Sequence, residues 1–267
     1  MKAKILDITG KETETIELPK QFSEPLNKNL IKRAVIILQS NNRQSYGSFP
    51  RAGMRSSAKL SRRRGEYKGA YNHGISRVPR KSLWKRGTQF GWVGAFMPGA
   101  VGGRKAHPPQ LDKDFTRKIN KKENRKAIRS AISATLNPEL VKQHHKFSIT
   151  LPLILESKFE SLTKTKQVKE VLEKIGLKEE LKRISVKKVR AGKGKSRGRK
   201  YKIKTGPLIV IAKSCLLEKS SRNLQGIQIV PVNSLNAELL APGTTPGRLV
   251  IWTKDAIERM KSEELFK

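Results

Sequence analysis

The chain has 267 residues and a formal net charge of +36, from 58 Lys or Arg against 22 Asp or Glu, so a compact globule would repel itself unless a polyanion neutralised it. A single cysteine excludes an intrachain disulfide framework and fits a reducing cytosol. No apolar run approaches the roughly 20 residues of a membrane span, and no long apolar segment follows Met1, so the sequence predicts a soluble, cytoplasmic protein.

The N-terminal region predicts a β-hairpin and one helix. Residues 2–8 and 13–18 are expected to form two strands that turn around Gly10, because the second segment alternates polar and apolar side chains. Ser23 is a candidate N-cap for the helix. Apolar side chains then recur on one helical face, at Leu26, Leu30, Ala34, Ile37 and Leu38.

Residues 41–110 depart from this pattern. They hold 15 Lys or Arg against one acid, Glu66, and 11 of the 20 glycines, yet only six Leu, Ile or Val. So few aliphatic side chains cannot offset roughly 1–2 kcal/mol of backbone entropy per residue, and we expect the segment to stay extended or disordered until a polyanion orders it. Loops this long are usually functional or disordered, so the segment is interpreted as a functional insertion between two helices.

A solvated charge run is the usual meaning of such a composition, but the aromatic residues favour RNA. Acidic residues are nearly absent, and the aromatic side chains alternate with Arg and Lys at short spacing. Unpaired bases stack on aromatic rings with roughly 1–3 kcal/mol per base. The candidate base-stacking residues are Tyr46, Phe49, Tyr67, Tyr71, Trp84 and Trp92.

Helical and strand patterns return after this insertion. Asp112 is a candidate cap for a helix that ends near Leu136. Residues 149–155 are apolar but contain Pro152, which indicates a strand at the edge of a sheet or a packed loop.

A second helical pattern begins near Thr165, a candidate cap, and ends at Gly176. A helical turn over residues 177–183 and a strand over residues 184–189 follow. Residues 190–204 then form a basic, glycine-rich loop with eight Lys or Arg and no acid.

The last 60 residues predict a parallel sheet. Residues 207–212, 227–231 and 249–252 are continuous apolar runs, which are typical of buried parallel strands. Helical segments over residues 216–224 and 235–240 separate these strands, and a final helix, capped by Thr253, is expected to reach Phe266.

The predicted fold class is α/β, a three-layer sandwich around a mainly parallel β-sheet, with a long extended basic loop inserted between two helices. Residues 1–40 and 111–267 are expected to form a globular body that carries the 190–204 loop, and residues 41–110 to form the extended loop.

No motif predicts catalysis, a metal or a cofactor. The run Gly194-Lys195-Ser196 resembles the end of a Walker A loop, but Val189 occupies the position of its first glycine. The histidines have no Cys or carboxylate partners at metal spacing, so His144 and His145 are expected to be solvated or to contact RNA. Two other classes stay open: an RNA-modifying enzyme with a basic insertion, and a DNA-compacting chromatin protein.

Several strings of this sequence resemble the archaeal and eukaryotic type of ribosomal protein L4, a large-subunit family. In the insertion they are residues 49–58 (FPRAGMRSSA), 74–80 (GISRVPR) and 101–109 (VGGRKAHPP). Two more, residues 188–199 and 241–249, are similar to the archaeal form, so the resemblance covers nearly the whole chain.

The resemblance implies a structural, non-enzymatic component of the large ribosomal subunit, located in cytoplasmic ribosomes and needing no cofactor. It also implies an α/β body with about four parallel strands and a loop that threads through several rRNA domains. Such a protein binds rRNA early in subunit assembly, and its loop tip forms part of the wall of the polypeptide exit tunnel. The implied partners are large-subunit rRNA, neighbouring ribosomal proteins and the nascent polypeptide.

The candidate rRNA contacts follow from the matched strings and from the basic stretches around them. Residues within the matched strings of the insertion are implied to contact rRNA, as in the family: Arg51, Arg55, Arg77, Arg80, Arg104 and Lys105. Local charge density adds Lys59, Arg62, Arg63, Arg64, Lys68, Lys81, Lys85 and Arg86, and in the second loop Arg190, Lys193, Lys195, Arg197, Arg199 and Lys200. The tunnel-tip candidates, between Arg63 and Gly74, are Arg64, Glu66, Tyr67, Lys68, Asn72 and His73.

Overall fold

The computed structural model describes residues 1–66 and 69–267, so the predictions for Tyr67 and Lys68 fall outside the described residues. The chain divides into two units. Residues Met1–Asn42 and Thr116–Lys267 form the first unit, called the body below, and residues Arg43–Phe115 form the second, called the arm. Among the described residues no helix has the length and apolar character needed to cross a membrane.

The body begins with the predicted hairpin. Strands β1 (Lys2–Leu6) and β2 (Glu12–Glu17) pair antiparallel, followed by a 3-10 turn (Lys20–Ser23) and helix α1 (Lys28–Asn41). The prediction of Ser23 as the N-cap is wrong, because its hydroxyl donates back to the Lys20 carbonyl at 2.8 Å. Asn27 caps the helix instead, with its Oδ1 accepting from the Leu30 amide at 3.0 Å.

The described part of the arm contains a two-stranded hairpin that its composition did not predict. Strands β3 (Arg80–Arg86) and β4 (Gln89–Gly94) pair antiparallel around a tight turn at Gly87, which has a φ of 58°. Aromatic packing stabilises the hairpin, since Phe90 stacks on Trp92 with ring centroids 6.0 Å apart. The Trp84 ring lies over Gly91, where a Cβ atom would come within 2.0 Å of the indole Nε1.

Helix α2 (Lys121–Ala134) begins nine residues after the predicted cap Asp112. The segment before it is not helical, and a distant side chain bonds its backbone at Arg117. The Arg117 amide donates to the Asn41 Oδ1 at 2.8 Å, and its carbonyl accepts from the Asn41 Nδ2 at 3.2 Å. The two segments of the body that flank the arm are therefore hydrogen-bonded to each other at Asn41 and Arg117.

The remaining elements of the body follow in chain order. They are α3 (Pro138–Lys142), β5 (Leu153–Leu155), α4 (Thr165–Leu172), α5 (Lys178–Ser185), β6 (Lys188–Val189), β7 (Tyr201–Lys202), β8 (Leu208–Ile211), α6 (Leu216–Ser221), β9 (Gln228–Pro231), α7 (Ala237–Leu240), β10 (Val250–Thr253) and α8 (Lys254–Ser262).

The central sheet has the strand order β2-β1-β5-β10-β8-β9, and all its pairs are parallel except β1 with β2. The mainly parallel sheet is thus confirmed, with more strands than the family resemblance implied. The prediction of an edge strand or packed loop at residues 149–155 is wrong, since β5 lies between β1 and β10. Pro152 precedes β5 and so removes no hydrogen bond from inside this strand.

Both faces of this sheet are covered by helices, which makes the body three-layered. Alternate side chains of the central strands point to opposite faces, as Val210 and Ile211 do. One apolar cluster joins the first face to α1, α2, α7 and α8, and the other joins the second face to α3, α4, α5 and α6. Trp252 is fully buried in the first cluster and meets Phe22 edge to face at 5.2 Å.

Several of the predicted helix boundaries need correction, and one is confirmed. Thr165 makes no side-chain cap, and the chain passes from α4 through a wide turn, where Gly176 has a φ of 99°, into α5. Ile184 is buried in α5, so the predicted strand is reduced to Lys188–Val189. Thr253 caps α8 as predicted, with its Oγ1 accepting from the Ala256 amide at 3.3 Å. The helix ends at Ser262, so the prediction that it reaches Phe266 is wrong.

Candidate nucleic-acid interface

The base of the arm is an aromatic and cationic stack. Tyr46 and Phe115 lie nearly parallel, with ring centroids 5.9 Å apart. The guanidinium carbon of Arg43 lies 4.2 Å from the Phe115 centroid, and Arg43 donates to the Tyr46 hydroxyl at 3.3 Å. The predicted stacking residue Tyr46 thus has a protein partner on its ring. Sequence reasoning missed Arg43 and Phe115, although a second aromatic residue near the end of the insertion was a usable signal.

The two legs of the arm touch through their backbones a few residues further out. The Ser48 amide donates to the Pro109 carbonyl at 3.1 Å. Gly53 has a φ of 77°, and a Cβ atom there would come within 2.5 Å of the Arg104 amide nitrogen. A side chain at Gly53 would therefore push the legs apart.

A cleft of about 770 Å³ opens beside this contact and is lined by Phe49, Arg104 and Lys105. The guanidinium carbon of Arg55 lies 4.2 Å from the Phe49 centroid. This arrangement brings four predicted contact residues to one place, where an Arg stacked on a ring keeps its N–H groups available for phosphate oxygens.

Around the hairpin of the arm, Lys59 and Arg80 exchange backbone hydrogen bonds at 3.2 Å. The Arg80 guanidinium donates to the Ser76 hydroxyl at 3.0 Å and to the Val78 carbonyl at 3.4 Å, which fixes its direction. Trp92 is partly buried in a cleft of about 310 Å³ that Lys59 and Arg80 also line. Trp84 is 55% exposed and offers the larger aromatic surface to a ligand.

One of the predicted tip residues, Arg64, lies with Arg77 beside the Tyr71 ring. Arg64 and Arg77 both place their guanidinium carbons 5.3 Å from the Tyr71 centroid, and Arg64 donates to the Tyr71 hydroxyl at 3.4 Å. Glu66 accepts a hydrogen bond from the Ser61 hydroxyl. Among the other candidates Asn72 has a φ of 63°, the left-handed conformation that Asn tolerates at a turn, and His73, Arg62 and Arg63 have exposed or partly exposed side chains.

The second basic loop belongs to the body and is an ordered hairpin. Strands β6 and β7 pair through Val189 and Tyr201, and the Arg190 amide donates to the Lys200 carbonyl at 2.8 Å. A 3-10 turn (Lys195–Arg197) ends at Gly198, whose φ of 78° lets the chain reverse. All its predicted rRNA contacts have exposed or partly exposed side chains: Arg190, Lys193, Lys195, Arg197, Arg199 and Lys200.

A buried ionic cluster near this hairpin was not predicted. His145 is 4% exposed and its Nδ1 lies 2.6 Å from the Glu180 Oε1, so the expectation of a solvated or RNA-contacting His145 is wrong. Arg183 holds the same carboxylate through its Nε at 2.7 Å and its Nη2 at 2.6 Å. His144, the neighbouring residue, has an exposed side chain.

The charges of this cluster are set by burial and by these hydrogen bonds. Burial alone would raise the pKa of Glu180, but hydrogen bonds from Arg183, His145 and the Lys146 amide lower that pKa to about 2. Burial lowers the pKa of His145 against the opposing effect of Glu180. The neutral ring therefore donates its Nδ1 proton to the carboxylate.

Arg248 lies beside the cluster and has no carboxylate partner among the described residues. It is 1% exposed, and it donates to the carbonyls of Gly206 at 3.0 Å and Leu239 at 2.7 Å and to the Gln228 side chain at 2.8 Å. Its Nη2 has no hydrogen-bond partner within the described ranges. Burial lowers the pKa of Arg248 to about 10.

Metal chemistry has no support among residues 1–66 and 69–267, where no group of three or more His, Cys, Asp or Glu side chains is placed to hold an ion. The arrangement is instead one of exposed cations and half-covered aromatic rings, which suits phosphate and base contacts.

Comparison with known proteins finds similarity to a single family over nearly the whole chain. The model of the ribosomal protein L4/L1 family matches residues 16–263. The chain is 45% identical over 268 residues to large ribosomal subunit protein uL4 of Nanoarchaeum equitans, covering 100% of each chain. It is 45% identical over 260 residues to uL4 of Archaeoglobus fulgidus and 44% identical over 261 residues to uL4 of Methanococcoides burtonii, with 97% of each chain covered in both cases.

Proposed function

This chain belongs to the ribosomal protein L4/L1 family, and we propose that it is a structural component of the large ribosomal subunit that binds rRNA through its arm and the β6–β7 hairpin. The family match and the names of its relatives support a ribosomal role, and the residues of the arm support the mode of binding. This proposed function does not require catalysis by the protein.

The observation that carries the proposal is the make-up of the arm. Among its described residues the only buried hydrophobic side chains are Ala70 and Ala95, while its sequence has 16 Lys or Arg against three acids. A unit with so little core cannot be the product of hydrophobic burial alone. An RNA that surrounds the arm would supply both the missing contacts and the counter-charge.

Two kinds of contact follow from the side chains. Exposed Lys and Arg residues would neutralise phosphates, which positions the protein and carries little sequence information. Specificity would come from RNA shape and from unstacked bases placed on exposed aromatic faces, with Trp84 and Phe49 the best presented. Binding by this mechanism weakens steeply as salt rises.

The proposal extends to assembly and to the exit tunnel. A long arm that contacts several rRNA domains at once would act early in assembly, as a primary rRNA-binding protein. Its tip, the region around Tyr71 with Arg64, Asn72 and His73, would form part of the tunnel wall and meet the nascent polypeptide. A photocrosslinking residue at His73 should label nascent chains in stalled ribosomes, and a label confined to rRNA would contradict this part of the proposal.

Sedimentation of the tagged protein in cell lysate tests the main proposal. The protein should migrate with large ribosomal subunits at physiological salt, and migration in the free fraction under that condition would contradict the proposal. Competition at matched salt separates the alternatives, because a DNA-compacting protein would prefer duplex DNA to structured RNA. An RNA-modifying enzyme would show measurable binding of a small cofactor by the purified protein.

A further inference from the structure

The body contains a cationic cleft, and most of the cations that line it lie outside both basic loops. It has a volume of about 540 Å³, and six cationic side chains line it: Lys142, Lys146, Arg183, Lys202, Lys204 and Arg248. No Asp or Glu lines the cleft. A cavity of this size has room for a nucleotide. Glu180, the acid of the neighbouring buried ionic cluster, is fully buried and already bonded to Arg183 and His145.

Arg248 gives a second, independent reason to expect an anion. A buried charge is normally paired, because removing it from water costs several kcal/mol. Arg248 is buried in the wall of the cleft, yet its hydrogen-bond partners are neutral oxygens and its Nη2 has none within residues 1–66 and 69–267. A phosphate in the cleft would supply the missing negative charge.

The cleft also continues the surface of the second basic loop. Lys202 belongs to β7, and Lys204 follows it directly in the chain. An RNA strand that follows the exposed cations of the β6–β7 hairpin would therefore reach the cleft at the foot of the hairpin. The side chains of Lys146 and Lys204 are exposed and can turn toward a ligand.

We propose that this cleft binds a phosphate group of the RNA backbone, as a contact of the body in addition to the arm and the hairpin. The inference rests on the proposed rRNA-binding function and names a site within it. Lys146, Lys204 and Arg183 would meet the phosphate oxygens, and Arg248 would act from the wall as a fixed positive charge.

The first test uses inorganic phosphate on the full-length protein at constant ionic strength. Phosphate should shift the ring NMR signals of His144 and His145 saturably in the wild type and not in the double variant Lys146→Ala/Lys204→Ala. The variant Lys28→Ala/Lys32→Ala loses the same charge at exposed sites on α1 and should respond like the wild type. No saturable shift in the wild type would overturn the site.

The second test asks whether the phosphate comes from RNA. The affinity for a large-subunit rRNA fragment should fall about fivefold to tenfold in Lys146→Ala/Lys204→Ala, and the salt slope should drop by about two. The α1 variant should lose less than about twofold. If the cleft variant binds rRNA like the α1 variant while still abolishing the phosphate shift, the cleft takes a free anion and the RNA assignment is wrong. If the wild type fails to bind rRNA at all, the proposed function fails, and the phosphate titration still decides the site.

Discussion

The body and the arm belong to one chain, but different interactions stabilise each of the two units. In the body, a six-stranded sheet is buried between two helical layers, and its strands β5, β8 and β10 are fully buried along their length. In the arm, the only buried hydrophobic residues of the described part are Ala70 and Ala95. The arm instead has guanidinium groups over aromatic rings, as at Arg55 with Phe49.

The magnitudes of these contacts explain the contrast. Full burial of an aliphatic side chain stabilises a fold by roughly 1.5–3 kcal/mol, whereas an exposed cation–π contact contributes about 0.5–1 kcal/mol. Ordering each residue costs roughly 1–2 kcal/mol of backbone entropy. We therefore expect the body to fold by itself and the arm to need a partner to hold one conformation.

Deletion of residues 46–107, with a short Gly-Ser linker in their place, is the strongest challenge to this contrast. We expect the body to stay folded, because its apolar clusters contain no arm residue. The affinity for large-subunit rRNA at about 150 mM salt should fall by at least about 1,000-fold as the phosphate contacts of the arm are lost. Circular dichroism and filter binding measure the two outcomes.

An unfolded deletion variant would contradict the division into two units. Full-length protein with Trp84→Ala serves as the control, because it keeps the charge of the arm and removes one exposed ring. Its rRNA affinity should fall by only about 1–3 kcal/mol, the contribution of one stacked base.

Two tryptophans compare the units at the level of one side chain. Trp252→Ala should lower the free energy of unfolding by about 3–5 kcal/mol, because the ring is fully buried against Phe22. Trp84→Ala should change it by less than about 0.5 kcal/mol, since the ring is 55% exposed and lies in the other unit. Urea unfolding monitored by far-UV circular dichroism gives both values.

A milder substitution refines the same test. The Trp252 Nε1 is buried and has no hydrogen-bond partner in the described part of the chain. Trp252→Phe removes this polar group along with some volume, so we expect a smaller loss than for Trp252→Ala. Equal losses for the two variants would mean that apolar packing at Trp252 contributes little.

The body was the more predictable unit because its signals are local. Continuous apolar runs gave β8, β9 and β10, and Thr253 was recognised as a cap from its position before a helical pattern. The errors arose where a distant residue decides the local structure. Asn41 bonds the backbone of Arg117 just before α2 begins, and this contact between residues far apart in sequence has no local signal.

The candidate site was predictable as a composition and not as a geometry. The cationic and aromatic residues of the arm were identified, but their pairing on Tyr71 depends on how the chain folds back. The hairpin of the arm had a usable signal, a Gly-Thr turn between aromatic segments. His145 was misjudged because its partner Glu180 is 35 residues away and its burial depends on tertiary packing.

The buried ionic cluster makes the stability of the body depend on pH. The folded-state pKa of Glu180, about 2, lies below its ordinary value of 4.5, so its contribution is complete above about pH 4.5 and is lost as the pH falls toward 2. Burial also lowers the pKa of His145 from its ordinary value of 6.5, so protonation of the unfolded chain adds a loss as the pH falls below 6.5.

Glu180→Gln should therefore cost on the order of 3 kcal/mol at pH 7, and its stability should fall less than that of the wild type as the pH drops from 4.5. Glu179→Gln makes the same charge change at the exposed neighbouring position and should follow the wild type at every pH. Urea unfolding across pH 3–7 measures this, and parallel curves for Glu180→Gln and wild type would rule out a role for the carboxylate.

The smallest expected effect separates the backbone of the arm from its charges. Gly53 and Gly65 both have positive φ, 77° and 67°, so alanine should strain the backbone by about 1–2 kcal/mol at either position. Only at Gly53 does the added methyl collide with the opposite leg, whereas nothing lies within 4 Å at Gly65. We therefore expect Gly53→Ala to bind rRNA about fivefold to tenfold more weakly than Gly65→Ala, with unchanged thermal unfolding of the body in both. Equal affinities would mean that charge alone, without the spacing of the legs, determines binding by the arm.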